Sequence, residues 1–224
     1  MLDFNEEKHE YSINGKILTS VTQFLDNYFK PFDEDKWSKK VAIKCKTTQK
    51  EILKQWERKR NRACEYGTYV HEQIENYLNN KSYNKSLKEI EQAKNILRIF
   101  CGDITSELRV FSEELGIAGT IDCVIEKDNN IYILDWKTGF NKIKKENKYG
   151  VKALDPISHL ADCNYVRYSL QLGLYKYILE KEYNKKVLGM GIVKLDKNRF
   201  SYDYITPLDL EDEIVSLLNE SKLI

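Results

Sequence analysis

Long apolar runs, prolines and any excess of one charge are all scarce in this chain, and each scarcity excludes something. No stretch approaches the roughly eighteen apolar residues that a membrane-crossing helix needs. The opening Met1-Leu2-Asp3-Phe4-Asn5-Glu6-Glu7 is acidic, so no signal or transit peptide pattern is present there. Three prolines, ten glycines and no low-complexity run leave no evident linker in 224 residues, a length that suits one sizeable α/β domain spanning 1–224. The five cysteines, Cys45, Cys64, Cys101, Cys123 and Cys163, are odd in number and widely spaced. They fit neither a disulfide framework nor a zinc or iron–sulfur ligand set, and a soluble intracellular protein with reduced thiols is expected. A formal net charge of +1 gives no global pull on nucleic acid, so any electrostatic footprint must be local.

The charge is locally uneven. From Lys30 to Arg62 twelve Lys and Arg stand against five Asp and Glu, and from Lys142 to Lys152 five lysines stand against Glu146 alone. Such runs are either solvated faces or phosphate-facing surfaces. Trp37 and Trp56 fall within the first run. Aromatic rings among cations can stack exposed bases, a pattern suited to single-stranded nucleic acid; the plainer expectation, preferred here, is that both tryptophans are core.

In chain order, Asn14-Gly15 marks a hairpin turn within His9–Leu18, and Ser20 or Thr19 caps a helix that ends near Lys30-Pro31. The basic segment predicts one or two helices to about Glu65. Gly67–Leu78 predicts another, with His71, Ile74, Glu75 and Leu78 on one face, and Leu87–Phe100 a further one. Ile104–Leu115 begins the sheet, Gly139 to about Leu160 is a lysine-rich loop, and Tyr165–Tyr183 is a strong helix. Two strands, Val187–Leu195 and Phe200–Ile205, and a helix over Pro207–Leu218 complete the chain. The expected architecture is α/β: a mixed central sheet flanked by helices, with residues 1–103 mainly helical and 104–224 carrying the sheet.

Two adjacent runs concentrate charge where strands normally exclude it. Ile131-Tyr132-Ile133-Leu134-Asp135-Trp136-Lys137 is rich in β-branched and aromatic residues and follows an Asp128-Asn129-Asn130 turn. Strand alternation sets Asp135 and Lys137 on the face of Ile131 and Ile133, with Trp136 opposite. Asp122, in Gly119-Thr120-Ile121-Asp122-Cys123-Val124-Ile125, lies on the antiparallel neighbour. Converging carboxylates beside a lysine suit metal-assisted phosphodiester hydrolysis. An ordinary Asp and Lys pair at a strand end is the alternative.

Asp122 followed by Asp135-Trp136-Lys137 resembles the D…(D/E)xK signature of the PD-(D/E)XK nuclease superfamily, and Gly119-Thr120-Ile121-Asp122 resembles its GxxD form. Gly67-Thr68-Tyr69-Val70-His71 and Gln171-Leu172-Gly173-Leu174-Tyr175 are similar to the GxxxH and QxxxY elements of the RecB-like exonuclease branch, in the right order. Ser20-Val21-Thr22 and Ile133-Leu134-Asp135-Trp136-Lys137-Thr138 further resemble mitochondrial genome maintenance exonucleases and phage-type enzymes. The resemblance implies a Mg²⁺- or Mn²⁺-dependent deoxyribonuclease, an exonuclease on single-stranded DNA or DNA ends, in a bacterial or phage-infected cytoplasm. It implies Asp122, Asp135, His71 and the Trp136 carbonyl as metal ligands and Lys137 as the residue that positions water or stabilises the transition state. Gln171 would hydrogen-bond near the scissile phosphate or the catalytic lysine, with Tyr175 supporting it, and Glu113, six residues before Gly119, would be an assisting acid, with Glu75 a weaker candidate. Some RecB-like relatives hold an iron–sulfur cluster through C-terminal cysteines; nothing after Cys163 could supply one, and no cluster is expected. The rivals are an endonuclease and a DNA-binding partner without turnover.

Overall fold

The computed structural model describes residues 2–5, 10–139 and 143–221. The chain runs β1 (Leu2–Asn5), β2 (Glu10–Ile13), β3 (Lys16–Ser20), α1 (Val21–Asp26), α2 (Glu34–Cys45), α3 (Gln49–Leu78) and α4 (Lys88–Leu97). It continues through β4 (Asp103–Ser112), β5 (Ile117–Lys127), β6 (Asn130–Lys137), α5 (Asn164–Glu182), β7 (Lys186–Lys194), β8 (Asp203–Ile205) and α6 (Glu211–Ser221). One sheet follows the order β1-β2-β3-β5-β6-β7-β8, with β4 paired to β5 off that path. Its β3–β5 and β6–β7 pairs are parallel and the rest antiparallel, the mixed α/β sheet that the sequence predicts.

Helices cover both faces because the interior strands are apolar on both sides. Ile121, Val124, Ile131, Ile133 and Ile192 pack with α1, α5 and α6 through Phe24, Leu170, Ile178 and Ile214. Cys123, Ile125, Leu134, Trp136 and Val193 pack with α3 and α4 through Val70, Ile74, Ile90 and Ile96. Trp136 and Ile133 therefore face opposite layers, as alternation requires.

Several expectations change. The N-terminal part carries four helices but also strands of the sheet: Leu2–Asn5 forms an unforeseen strand, and β3 joins the central sheet through Thr19 and Ser20 against Ile117 and Ala118. His9, the start of the expected hairpin, and Lys142 lie outside the described residues. Ser20 is the N-cap of α1 and, with Gln23, completes a reciprocal capping box, but the helix stops at Asp26. The expected break near Glu65 is absent, and α3 is continuous for 30 residues. A glycine inside a helix ordinarily costs about 1 kcal/mol against alanine. Gly67 is kept small by the residue just after β6, since a Cβ there would lie 3.3 Å from the Thr138 hydroxyl. The last helix begins at Glu211, four residues after Pro207.

Candidate active site

The site is built at a split in one edge of β5. β4 pairs along nearly the whole of that strand, from Asp103↔Glu126 to Ser112↔Ile117, so β3 and β6 must share the other edge. β3 takes Ile117 and Ala118, and β6 begins only at Cys123↔Leu134. Gly119-Thr120-Ile121-Asp122 is left facing the gap between them. Where the ladder ends, Asp122 itself substitutes for the missing backbone acceptor: its Oδ2 accepts the Trp136 N–H at 2.7 Å. Its other oxygen, Oδ1, lies 3.6 Å from His71 Nδ1.

His71 reaches this gap from α3. Its Nε2 lies 2.9 Å from the Trp136 carbonyl oxygen, which can only accept, so Nε2 carries the proton. The Nδ1 lone pair is thereby aimed at the Asp122 side, the tautomer a metal-ligating histidine needs. The Trp136 carbonyl, expected as a metal ligand, is engaged by His71 and acts as its orienting group.

The third group is Glu107, which the sequence reading missed. Glu113, proposed there in its place, is exposed in the turn between β4 and β5, where its carbonyl accepts from Gly116 N–H. It does not reach the site. The turn sets the antiparallel register so that residue 107, between Ser106↔Cys123 and Leu108↔Ile121, stands opposite Asp122. Glu107 has φ +50°, the left-handed region that a glutamate rarely enters and that is enriched where structure enforces a functional geometry. Ligand atoms of His71, Glu107 and Asp122 all lie within 4.8 Å of one another. Burial, followed by the charges of Asp122 and Glu75, pushes the Glu107 carboxyl up to about 8. Carboxylates brought this close around an imidazole match the donor set of a divalent cation.

Asp135 and Lys137 lie on the α5 side of β6, beside this trio and not within it. Asp135 is only 3% exposed; its Oδ1 accepts from Lys137 Nζ at 2.8 Å, whereas its Oδ2 is buried with no hydrogen-bond partner among the described residues. Burial pushes its pKa up to about 6 despite the lysine, with Asp122 adding to the rise. Burial alone would depress Lys137, but Asp135 and Asp122 outweigh it and raise its pKa. The ammonium also sits 4.4 Å from the centre of the Tyr168 ring. The end of β6 is held firmly: Leu195 N–H donates to the Lys137 carbonyl at 2.8 Å, and the buried Lys194 amine donates to the carbonyls of Gly139 and Leu195. Lys194 is a supporting residue that the sequence reading did not pick out.

From α5, Gln171 Nε2 donates to the Tyr175 hydroxyl at 3.3 Å. Tyr175 is buried beneath Gly119, where a Cβ would stand 2.6 Å from its ring. That close approach accounts for the glycine in the GxxD run. Burial raises the Tyr175 pKa, which keeps the hydroxyl a neutral donor. A cleft of about 550 Å³ opens over the assembly, lined by His71, Glu75, Glu107, Asp122, Gln171 and Tyr175 among others. Asp135 and Lys137 are not among its lining residues.

A mixed sheet whose split edge gathers two acids and an imidazole, with an Asp–Lys pair alongside, offers the donor set of a hard divalent cation. Consistent with it, the model of the PD-(D/E)XK nuclease superfamily matches residues 43–220. The chain belongs to that superfamily, whose nucleases use divalent metals. Two solved structures are similar in part. SSO0001 is 19% identical with a TM-score of 0.30, over 58% of this chain and 54% of its own. A candidate exonuclease from Eubacterium rectale is 14% identical with a TM-score of 0.43, over 70% of this chain and 65% of its own. The chain thus spans between half and two thirds of these two proteins. A search of curated proteins finds no match.

Proposed function

We propose that residues 1–224 act as one nuclease domain: a Mg²⁺- or Mn²⁺-dependent deoxyribonuclease, and specifically an exonuclease on single-stranded DNA or DNA ends. The observation that carries this reading is the convergence of His71, Glu107 and Asp122 at the split of β5, with the Asp135–Lys137 pair alongside. His71, Glu107 and Asp122 would hold the ion, joined by Asp135 through its unpartnered Oδ2. A bound divalent ion supplies charge neutralisation and a water of lowered pKa. Lys137, held by Asp135, positions that water or meets developing charge on the phosphate. Gln171, steadied by Tyr175, donates toward the substrate. Replication, recombination and repair are the settings in which such an activity serves.

The preference for single strands draws on the basic α2–α3 region. Neither Trp37 nor Trp56 is core, contrary to the plainer expectation. Both are half-buried and paired with more exposed rings. Trp37 lies 5.3 Å from Tyr149, which is 76% exposed, and Trp56 lies 5.8 Å from Phe32, which is 62% exposed. Lys40 sits 4.9 Å over Trp37. Rings flanked by lysines are stacking platforms for unpaired bases. Trp56 and His71 share α3, and their fifteen-residue separation is about 22 Å at about 1.5 Å per residue, so a strand engaging both must be several nucleotides long.

The test is cleavage of end-labelled single-stranded and duplex DNA, linear and circular, with Mg²⁺, with Mn²⁺ and with EDTA, beside Asp135→Ala. Metal-dependent loss of linear strands, sparing of closed circles and no turnover by the variant is the expected result. Cutting of circles would replace this reading with an endonuclease. DNA binding with no cleavage under any condition would favour a binding module.

A further inference from the structure

Among the described residues, one lysine or arginine side chain lines the acid-lined cleft: Arg109, on β4 two residues beyond Glu107, in company with Glu72, Glu75, Glu107 and Asp122. It would be expected to collapse onto one of these acids, yet it forms no carboxylate ion pair among the described residues. Its guanidinium lies instead over the Phe4 ring, 4.8 Å from the centroid.

That ring is itself held in place. Phe4 packs against Tyr11 with centroids 4.6 Å apart, and the Tyr11 hydroxyl bonds the Thr120 hydroxyl at 2.8 Å. Thr120 is the cross-strand partner of Arg109. The result is a closed circuit from β1 and β2 through β5 to β4. Its N-terminal half, residues 2–20, lies outside the 43–220 span of the family match. Stacking occupies one face of the planar guanidinium, and its edge donors make no hydrogen bond among the described residues, the presentation suited to two oxygens of one phosphate. Along a strand, residues i and i+2 share a face and are separated by about 6.8 Å at about 3.4 Å per residue, so Arg109 sits one strand repeat from the metal-ligand position at Glu107.

We propose that Arg109, held flat against Phe4, is a phosphate-binding residue of this cleft and grips the phosphodiester neighbouring the scissile one. The inference deepens the nuclease reading and rests on it. Arg109 is a positioning residue here, and its contribution is to substrate binding; the metal ligands and Lys137 carry the chemistry.

The experiment is steady-state cleavage of short single-stranded oligonucleotides by the wild type, Arg109→Met, Arg109→Lys and Phe4→Leu. Each substrate carries one neutral methylphosphonate, moved stepwise along the strand, and is made with and without a terminal phosphate. For Arg109→Met, KM is expected to rise about tenfold or more, the scale of one lost contact to a charged group, with kcat little changed. Arg109→Lys recovers part of the loss, and Phe4→Leu shows a smaller shift of the same sign. The methylphosphonate beside the scissile bond should raise KM for the wild type and add nothing in Arg109→Met. An unchanged KM in Arg109→Met, or full sensitivity to that methylphosphonate in the variant, would overturn the proposal while leaving the nuclease reading standing. A dependence on Arg109 seen only with a terminal phosphate would overturn the assignment to an internal phosphodiester. Absence of metal-dependent cleavage by the wild type would overturn both readings together.

Discussion

Replacing Glu107 by glutamine should stabilise the metal-free protein at alkaline pH and weaken its response to metal. The Glu107 carboxyl is raised from 4.5 to about 8 by burial and by neighbouring acids. A folded-state pKa above the unfolded value contributes stability that is complete below about pH 4.5 and lost as the pH rises through 8. At about 1.36 kcal/mol per pKa unit the full shift would approach 5 kcal/mol, and water in the open cleft screens that to a few kcal/mol. Glutamine keeps the side-chain shape and carries no charge, so the variant avoids this loss. With EDTA at pH 8.5, about 2 kcal/mol of relief in a chain of this size raises Tm by about 4–8 °C; at pH 5 the two proteins should melt within a degree or two. Mn²⁺ should then raise Tm of the wild type and do much less for the variant, because one ligand is gone. Melting curves by circular dichroism at the two pH values, with EDTA and with Mn²⁺, test all of this. A variant less stable than wild type at pH 8.5 in EDTA, or a difference independent of pH, would refute the electrostatic account of Glu107.

Lys137→Ala should reduce cleavage below detection. Because it leaves Asp135 buried without its cation, it should also cost more stability at pH 8 than at pH 5; an active variant would remove the lysine from the mechanism. Gly119→Ala places a Cβ 2.6 Å from the Tyr175 ring. It should cost about 1–3 kcal/mol by overpacking and depress cleavage, with Gly119→Ala/Tyr175→Leu recovering stability but not activity, as read by urea titration and turnover. Trp56→Ala should weaken binding of long single strands by about 1–3 kcal/mol per lost stacked base and leave the shortest cleavable substrates unaffected. Equal loss at every length, measured by fluorescence anisotropy, would dissociate Trp56 from the substrate path.

The fold was legible where one pattern dominated. β6 and α5 lie close to the expected positions because β-branched alternation and a four-residue apolar repeat have no close competitor. The split in β5 was not legible. It depends on β3, a five-residue strand contributing two residues of parallel pairing, and long-range pairing of so few residues leaves no periodic trace. Glu107 was missed for a related reason. Counting along the chain from Gly119 selects Glu113, whereas counting across the antiparallel turn selects Glu107, and only the second respects strand register. The tryptophans were misjudged because a ring half-covered by another exposed ring has the same sequence signature as one in the core.

The costs in this structure converge on one place. Glu107 adopts a left-handed backbone, the Glu107 and Asp135 carboxyls are forced upward in pKa, and Asp135 Oδ2 is buried without a donor among the described residues. An ordinary strand-end ion pair explains none of these, since one lysine and one aspartate satisfy each other without recruiting Glu107 or leaving an oxygen bare. On the proposed reading, a divalent cation among these groups would relieve two of the costs at once, because it would neutralise the mutual repulsion and provide the missing partner. The third, the strained backbone at Glu107, would then carry that carboxylate across to Asp122, which accepts the Trp136 N–H while the Trp136 carbonyl holds His71. Local violations of folding rules that a single bound ion would resolve are what a metal-dependent nuclease site requires. The same reasoning separates His71, Glu107, Asp122 and Asp135 from Glu113, which violates no rule in its exposed turn.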